Sequence, residues 1–505
     1  MRIAFRVDAS TASGVGHLKR SLALAHALRG LGADVVFVTR EHDIDTASMV
    51  EHEQFHAVKL LRSSVNDDSL STETVPNGCA WLRVSQATDA EETCAVLAGG
   101  VDWVVVDHYG IDSRWHDQVS EALGARICVI DDLADRSLSC DLLVDHNLVD
   151  DHRIKYRKQA DGIHKLLGGP RFALLGPSYV APEACKVEAQ VTSIGIFMGG
   201  ADASNASSVV LRACREFAGF VGIVEIATTS ANPNLASVKE LCERSGQTRL
   251  LIDQPDLAGF FARHGLQIGA GGGASWERCR VGAPTIALVC ADNQSDVVSA
   301  LAEAGIVLAV PAPTVAAIGE AIAQLVQDHE ARLRLHERSL RLVDGLGALR
   351  VALAMLGDAV ELRPATAEDA TICHGWRNDE RTRRYSRDPS VVTMEGHLAW
   401  WSRSLADPRR RLLIARCGSR SIGCIRLDLS GSRAEVSIYL DPLLTGLGLG
   451  AQLLRAAMAW VAGKETSVEL LEADIYPDNK SSTSAFAAAG FVRRTERTWT
   501  WNAPR

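Results

Sequence analysis

The chain has 505 residues, enough for about three domains at roughly 100 to 200 residues each. With 47% hydrophobic and 23% charged residues it is globular in composition, which excludes a largely disordered protein. The balance of 53 Lys plus Arg against 62 Asp plus Glu, a formal net charge of -9, argues against nucleic acid as a partner, and the most apolar stretch, Gly305 to Val326, is broken by Pro311, Pro313 and Glu320, which argues against a membrane span.

The chain opens Met1-Arg2-Ile3-Ala4-Phe5-Arg6-Val7-Asp8, and Arg6 and Asp8 interrupt the apolar core that a signal peptide needs; a cytoplasmic location is expected. The twelve cysteines lie far apart with no C-x-x-C, the pattern of reduced, buried thiols rather than of disulfides or a zinc cluster. Ile3 to Val7, Asp34 to Val38, Trp103 to Asp107 and Ile127 to Asp131 read as strands, with helices such as His17 to Leu28 and Ser113 to Leu123 between them. This predicts an N-terminal Rossmann-like lobe over 1–185. After a less regular stretch around Asp150 to Ala189 the alternation restarts, with strands at Ile194 to Met198, Gly222 to Ala227, Arg249 to Ile252, Leu266 to Ile268 and Thr285 to Leu288, and predicts a second such lobe over 186–350. The fold class expected for this part is α/β, and ligands of open parallel sheets lie beyond the carboxyl ends of the strands.

Three glycine-bearing turns stand at such ends. In the first lobe, Phe5-Arg6-Val7-Asp8-Ala9-Ser10 leads to Gly14-Val15-Gly16-His17-Leu18-Lys19-Arg20, where glycines let backbone approach a ligand, a helix start favours an anion, and an imidazole can take a proton from water. The third glycine of a dinucleotide fingerprint would fall at Lys19, so nicotinamide binding is not indicated. In the second lobe, Met198-Gly199-Gly200-Ala201-Asp202-Ala203-Ser204-Asn205 and Ile268-Gly269-Ala270-Gly271-Gly272-Gly273-Ala274-Ser275-Trp276-Glu277 follow strands, and Glu277 is able to accept two hydrogen bonds from a ribose diol. His52-Glu53-Gln54-Phe55-His56 satisfies the zinc-protease pattern H-E-x-x-H, but Ala57-Val58-Lys59-Leu60-Leu61 reads as a strand beginning at the second histidine, which would divide the pair and leaves no metal expected.

From Ala359 the character changes. Pro364 ends a strand and Thr366 can cap a helix; then Leu412 to Ala415, Ser421 to Leu429 and Ala434 to Leu440 follow one another as antiparallel strands do, before a glycine turn and a helix from Ala451 to Ala462. This predicts a separate α+β domain over 359–505. Within it Ser437-Ile438-Tyr439-Leu440-Asp441-Pro442 leads to Thr445-Gly446-Leu447-Gly448-Leu449-Gly450, whose unencumbered amides suit a pyrophosphate. Arg409, Arg410 and Arg411 read first as a solvated basic run and second as a contact for UDP or coenzyme A phosphates.

F-R-x-D-A-S, G-x-G-H-x-x-R, V-V-D-H-Y-G at Val105 to Gly110, I-D-D-L-A-D-R at Ile130 to Arg136, M-G-G-A-D-x-x-N, and A-G-G-G-A-S-W-E-R with Ala291-Asp292-Asn293-Gln294 together resemble the UDP-sugar hydrolases of pseudaminic acid biosynthesis, relatives of the GT-B glycosyltransferases. The resemblance spans residues 1 to about 350 and implies hydrolysis of UDP-2,4-diacetamido-2,4,6-trideoxy-β-L-altropyranose at the anomeric carbon, without a metal. It implies His17 as the catalytic residue acting on water, Tyr109 touching the sugar, Gly271, Gly272, Ser275 and Glu277 in the uridine and diphosphate pocket, and Asn293 and Gln294 in a loop facing the sugar. Arg6, Asp8, Gly14, Gly16, Arg20, Gly199, Gly200 and Asn205 stand in the same motifs and are expected on the substrate side. The chain departs from the pattern at Leu174-Leu175-Gly176-Pro177, where the family commonly has Leu-Leu-Arg-Pro, and at His146, where an amide side chain is expected.

The C-terminal block, with Asp474-Ile475-Tyr476-Pro477-Asp478-Asn479-Lys480-Ser481-Ser482, Ala489-Gly490-Phe491 and the glycine turn, resembles the GNAT acetyltransferases. That implies acetyl-CoA as co-substrate, with Leu440, Gly446, Gly448, Gly450 and Asn479 along the coenzyme. The family often has tyrosine where Phe486 stands and Gln or Arg where Thr445 stands, so Glu435, Tyr439 and Tyr476 remain the candidates for proton transfer. His397-Leu398-Ala399-Trp400-Trp401 reads as packing. A bifunctional enzyme of UDP-sugar metabolism is expected; a GT-B glycosyltransferase and a non-catalytic sensor of UDP-sugar and acetyl-CoA are the alternatives.

Overall fold

The computed structural model describes residues 1–10, 14–61, 81–291 and 294–503. The chain divides into two compact units, Met1–Arg29 with Ala33–Val351, and Ala352–Arg505 with Gly30–Gly32.

The first unit holds two parallel sheets. Strands β1 (Arg2–Val7), β2 (Asp34–Arg40), β3 (His56–Leu60), β4 (Trp103–Asp107), β5 (Arg126–Ile130), β6 (Leu142–Asp145) and β7 (Leu166–Gly168) line up in the order β3-β2-β1-β4-β5-β6-β7. Every pairing is parallel, from Ile3 opposite both Val35 and Trp103 to Asp145 opposite Gly168. Helices cover both faces of such a sheet, so its central strands read as unbroken apolar runs: Ile3, Ala4, Phe5 and Val7 are fully buried. The second sheet repeats the plan with β8 (Ser193–Phe197), β9 (Ile223–Thr228), β10 (Thr248–Ile252), β11 (Leu266–Ala270), β12 (Thr285–Leu288) and β13 (Leu308–Val310), in the order β10-β9-β8-β11-β12-β13. Its two faces carry separate cores, one around Ile194, Ile196, Leu211 and Ile322, the other around Phe261, Trp276, Ala287 and Leu301. The unit is thus two Rossmann-like lobes, as the alternating pattern predicts. In both sheets the order reverses between the first and fourth strands, which opens a crevice at their carboxyl ends.

The stretch read as irregular contributes β7 at its middle, and β6 precedes it. Both escape a periodicity search because Leu142–Asp145 and Leu166–Gly168 are too short to display one. His52 ends the helix Thr46–His52 and His56 opens β3, so the H-E-x-x-H pair does not share a helix face.

The second unit is a mixed sheet of β14 (Val360–Pro364), β15 (Arg410–Cys417), β16 (Arg420–Ser430), β17 (Arg433–Leu440), β18 (Leu470–Asp474), β19 (Val492–Arg493) and β20 (Thr498–Asn502), ordered β14-β15-β16-β17-β18-β20-β19. Four strands follow antiparallel, and β17 then pairs in parallel with β18, the connection being the helix Leu449–Lys464. That pairing covers only Arg433 to Glu435 against Leu470 to Glu472, so from Val436 to Leu440 β17 has no neighbour on that side. Thr366 lies at the start of the short turn and helix expected there, where the Asp369 carboxylate accepts the Thr366 backbone N–H at 2.7 Å.

Candidate functional site

The carboxyl ends of β1, β2 and β4 and the entrance of the helix Gly16–Gly30 meet in a small cavity lined by Asp8, Ser10, His17, His42, Trp81, Asp107, His108 and Tyr109. This is the point where the strand order of the first sheet reverses. Gly14, with φ +72°, turns the chain from β1 into the helix, a conformation that costs an ordinary side chain. One helical turn then sets His17 and Arg20 side by side, and both reach Asp107 at the end of β4.

His17 Nδ1 lies 2.5 Å from Asp107 Oδ1. Arg20 donates to both oxygens of the same carboxylate, Nη2 to Oδ1 at 2.7 Å and Nε to Oδ2 at 2.8 Å, and the Ser21 hydroxyl adds a bond to Oδ2 at 3.2 Å. Burial pushes the Asp107 carboxyl up, but Arg20 and His17 outweigh it and hold the group well below the usual carboxylate range. An ionised carboxylate only accepts, so the proton of the neutral ring sits on Nδ1 and Nε2 is left with its lone pair. The geometry is that of a general base held in one tautomer by a carboxylate.

Tyr109 stands edge-on to the His17 ring, centroids 4.5 Å apart, and its hydroxyl donates to Asp132 at 2.5 Å. Asp8 closes the far side. One of its oxygens accepts from Arg6, Thr39 and the Arg40 backbone; the other lies 3.4 Å from His42 Nε2 and 3.5 Å from His108 Nε2. Gly110 N–H donates to His108 Nδ1, which leaves the His108 proton on Nε2, facing Asp8. Burial lowers the His108 pKa to about 4, so this ring is neutral at physiological pH.

Arg6 does not face the cavity. It is fully buried and spent on Asp8 at 2.6 Å and on Asp89 at 2.7 and 3.0 Å, because a guanidinium inside a central strand must be neutralised where it stands. Its expected place on the substrate side is corrected accordingly: it reaches the site only through Asp8. Arg20 likewise acts through Asp107. Gly16 begins the helix, and a Cβ there would meet nothing within 4 Å.

In the second lobe, Gly199 (φ +90°) turns the chain after β8, and Gly200 packs against Thr229. The helix Ala206–Arg212 begins with Asn205, but its first amides are taken by Asp202, which accepts from Ala206 at 2.8 Å and Ser207 at 3.0 Å, and the Asn205 side chain accepts from Ser208. Gly271 has no room for a Cβ against Val298, whereas Gly272 and Gly273 border open space. Ser275 is buried and its hydroxyl accepts from Arg278 at 3.1 Å, so it braces the turn. Burial raises the Glu277 carboxyl to about 7, with the Tyr179 hydroxyl beside it. Gln294 accepts from the Cys290 backbone N–H at 3.0 Å; Asn293 lies outside the described residues. Lys19, beside His17 in sequence, donates to the Pro255 carbonyl at 3.5 Å and its charge acts on Glu277, which brings the two lobes' turns together. His146, after β6, is buried with its ring edge toward Trp276, centroids 6.1 Å apart, and burial lowers its pKa to about 4.

Asp107, His42, His108, Trp81 and Asp132 are the residues that reading the sequence did not assign. The signal for Asp107 was there: an acidic residue closing a fully apolar strand is costly unless it serves the crevice beyond it.

In the second unit, Gly446 (φ +83°) and Gly448 (φ +85°) lead into the helix Leu449–Lys464, with Gly450 in its first turn against Ala485 and Leu440 ending β17. Asn479 caps the helix Lys480–Ala489, its Oδ1 accepting from Ser482 at 3.1 Å. Glu435 sits where β17 leaves β18 and accepts from Arg387 at 2.5 Å; Tyr476 lies under Arg497, 4.5 Å from ring centroid to guanidinium carbon. Burial, then Cys424 and Cys373, keep the Tyr439 hydroxyl protonated. Phe486 is core, packed edge-on against Phe491 at 4.9 Å. The arginine run is ion-paired, Arg410 to Asp428 at 2.6 Å and Arg411 to Glu465 at 2.5 Å, because it opens a strand.

Residues 359–492 match the family described as Acetyltransferase (GNAT) domain. The N-terminal half is similar to the spore coat polysaccharide biosynthesis protein SpsG of Bacillus subtilis, 23% identical over 52% of this chain and 78% of that protein. It is also similar to the UDP-2,4-diacetamido-2,4,6-trideoxy-β-L-altropyranose hydrolase of Campylobacter jejuni, 25% identical over 51% of this chain and 80% of that enzyme. An uncharacterized protein of Methanocaldococcus jannaschii is 20% identical over 98% of this chain and 97% of its own. One polypeptide thus joins an N-terminal part similar to a UDP-sugar hydrolase to a C-terminal acetyltransferase domain of the GNAT family.

Proposed function

We propose that the chain is a bifunctional nucleotide-sugar enzyme that acetylates the 4-amino group of a UDP-linked amino sugar and hydrolyses the resulting UDP-2,4-diacetamido-2,4,6-trideoxy-β-L-altropyranose to free sugar and UDP. The observation that carries the hydrolytic half is the His17–Asp107 contact of 2.5 Å, with Arg20 and Ser21 fixing the carboxylate. His17 Nε2 takes a proton from water as its oxygen bonds to the anomeric carbon; the bond from that carbon to the diphosphate oxygen breaks and UDP leaves with the electron pair. UDP is a good leaving group, so one oriented base plus positioning of the diphosphate suffices. Glu277, when ionised, accepts from the ribose diol, and the space beside Gly272 and Gly273 lets a nucleotide approach the backbone.

For the acetyl half, supporting observations are the GNAT family match and the unpaired edge of β17 from Val436 to Leu440, which can accept an extended amide-bearing arm such as pantetheine. Gly446, Gly448 and Gly450 would hold the pyrophosphate. The neutral amine attacks the thioester carbon, the coenzyme leaves as thiolate, and the amine nitrogen loses its proton. Phe486 cannot serve that proton transfer, and Glu435, the one candidate of the three with a carboxylate, is held at the mouth of the β17–β18 opening. A time course with the UDP-amino sugar and acetyl-CoA tests the whole reading: the acetylated nucleotide sugar should rise first and free sugar with UDP should follow. Sugar transfer that requires an added acceptor would replace hydrolysis by glycosyl transfer, and binding without turnover would leave a sensor.

A further inference from the structure

The Tyr109 hydroxyl has a single proton, and the fold has already placed it. Tyr109 lines the cavity beside His17, and its O–H points to Asp132 Oδ1 at 2.5 Å. Asp132, the residue after Asp131 at the end of β5, is itself pinned. Its other oxygen accepts from Asn147 Nδ2 at 3.4 Å, its backbone carbonyl accepts from Lys155 at 2.7 Å, and Arg20 stands 3.9 Å away. Burial raises the Asp132 carboxyl, but Arg20 and the Tyr109 bond outweigh it, so the group is an anion and can only accept. Burial and the same anion raise the Tyr109 pKa well above its ordinary value, so the phenol keeps its proton and commits it to Asp132. Among the described residues nothing else hydrogen-bonds to the phenol oxygen. What Tyr109 offers to a ligand is therefore a lone pair.

We propose that Asp132 is a positioning residue that fixes the hydrogen-bond polarity of Tyr109, so that the pocket selects a ligand presenting a donor, an amide N–H or a hydroxyl, beside His17. A buried acceptor left without a donor is penalised more than a well-made bond is rewarded, so the selection works mainly by rejection. The choice of ligand rests on the hydrolase reading above; the polarity argument rests on Tyr109 and Asp132 alone.

The test uses the full-length chain and four nucleotide sugars: the UDP-diacetamido sugar, the same compound with either acetamido N–H replaced by an ester oxygen, and the same compound with its ring hydroxyl replaced by fluorine. Each replacement removes one donor at nearly constant shape, so the arms separate amide from hydroxyl recognition. The wild-type chain should lose about tenfold or more in kcat/KM for UDP release with one of the three analogues. In D132N, whose amide can donate to the phenol oxygen and free the phenol proton, that discrimination should shrink to about twofold or less, and in Y109F likewise. Discrimination that survives in both variants, or a wild-type chain indifferent to all three replacements, overturns the proposal. Should D132N fail to fold, Y109F, which breaks no ion pair, decides alone. If the parent compound is bound but releases no UDP, the hydrolase reading fails separately, and the same ratios measured as dissociation constants decide the polarity. If the parent is neither turned over nor bound, both fall.

Discussion

His17 is placed by its neighbours to do one thing. With Nδ1 committed to Asp107, only Nε2 can take a proton, and the Arg20 fork keeps the carboxylate from rotating away. H17A should lower the rate of UDP release by about 10²- to 10⁴-fold and leave acetyl transfer unchanged, measured on the same preparation with separate substrates. D107N should lower kcat by about as much with little change in KM, because an amide can bond either tautomer and half-orients the ring wrongly; a rise in KM alone would assign Asp107 to binding. Glu277 makes a pH prediction of opposite kind. Its carboxyl, ordinarily near 4.5, is raised by burial to about 7, so between those values the folded chain holds a proton that the unfolded chain releases. Rising pH therefore withdraws stability from about 4.5 to about 7, with no further change from this group above that. E277Q should flatten this part of the melting-temperature profile, and in the wild-type chain KM for the UDP-sugar should rise below pH 7, where the protonated group no longer accepts two hydrogen bonds.

At the scale of elements, the site depends on what strands end in and on the turns that follow them. Asp8 and Asp107 finish adjacent parallel strands that are otherwise apolar, and the register sets Val7 beside Asp107. That adjacency, more than the glycines, brings the carboxylates to one cavity. The glycines matter where φ is positive. A β-branched residue at Gly448, φ +85°, should cost about 1–2 kcal/mol of local strain and abolish coenzyme binding and acetylation, while UDP release continues; coenzyme titration and both assays on G448V decide it. Gly269 is different: its φ is unremarkable, but a Cβ would collide with the Arg278 guanidinium and stand 2.9 Å from the Phe197 carbonyl. G269A should lower stability by about 1–3 kcal/mol through overpacking, read as a drop in melting temperature. Such contacts were not legible in the sequence, where Gly269 looked like one more member of the glycine run before Glu277.

At the scale of the molecule, two units with separate cores carry two kinds of chemistry, and the predicted sign of their independence is that H17A and G448V each remove one activity. A mixture of the two variants should restore the full conversion if intermediate passes through solvent. The full-length similarity to the Methanocaldococcus jannaschii protein shows that a chain of this whole extent has a counterpart.

The sequence by itself determined the fold class, the sheets' alternation and the split of H-E-x-x-H, because a period of two or 3.6 in side-chain polarity is a local property that burial then enforces. It also pointed to His17 and to the glycine turns, since a strand-to-helix turn is local too. Only the tertiary structure decided that Arg6 is sealed inside the lobe, that Asp202 occupies the amides after Gly200, and that Asp107 and Asp132 govern His17 and Tyr109. Those pairings join residues 23 to 90 positions apart, apart from the local Asp202 cap, and a charge or a proton is assigned by whichever partner the packing brings within about 3 Å.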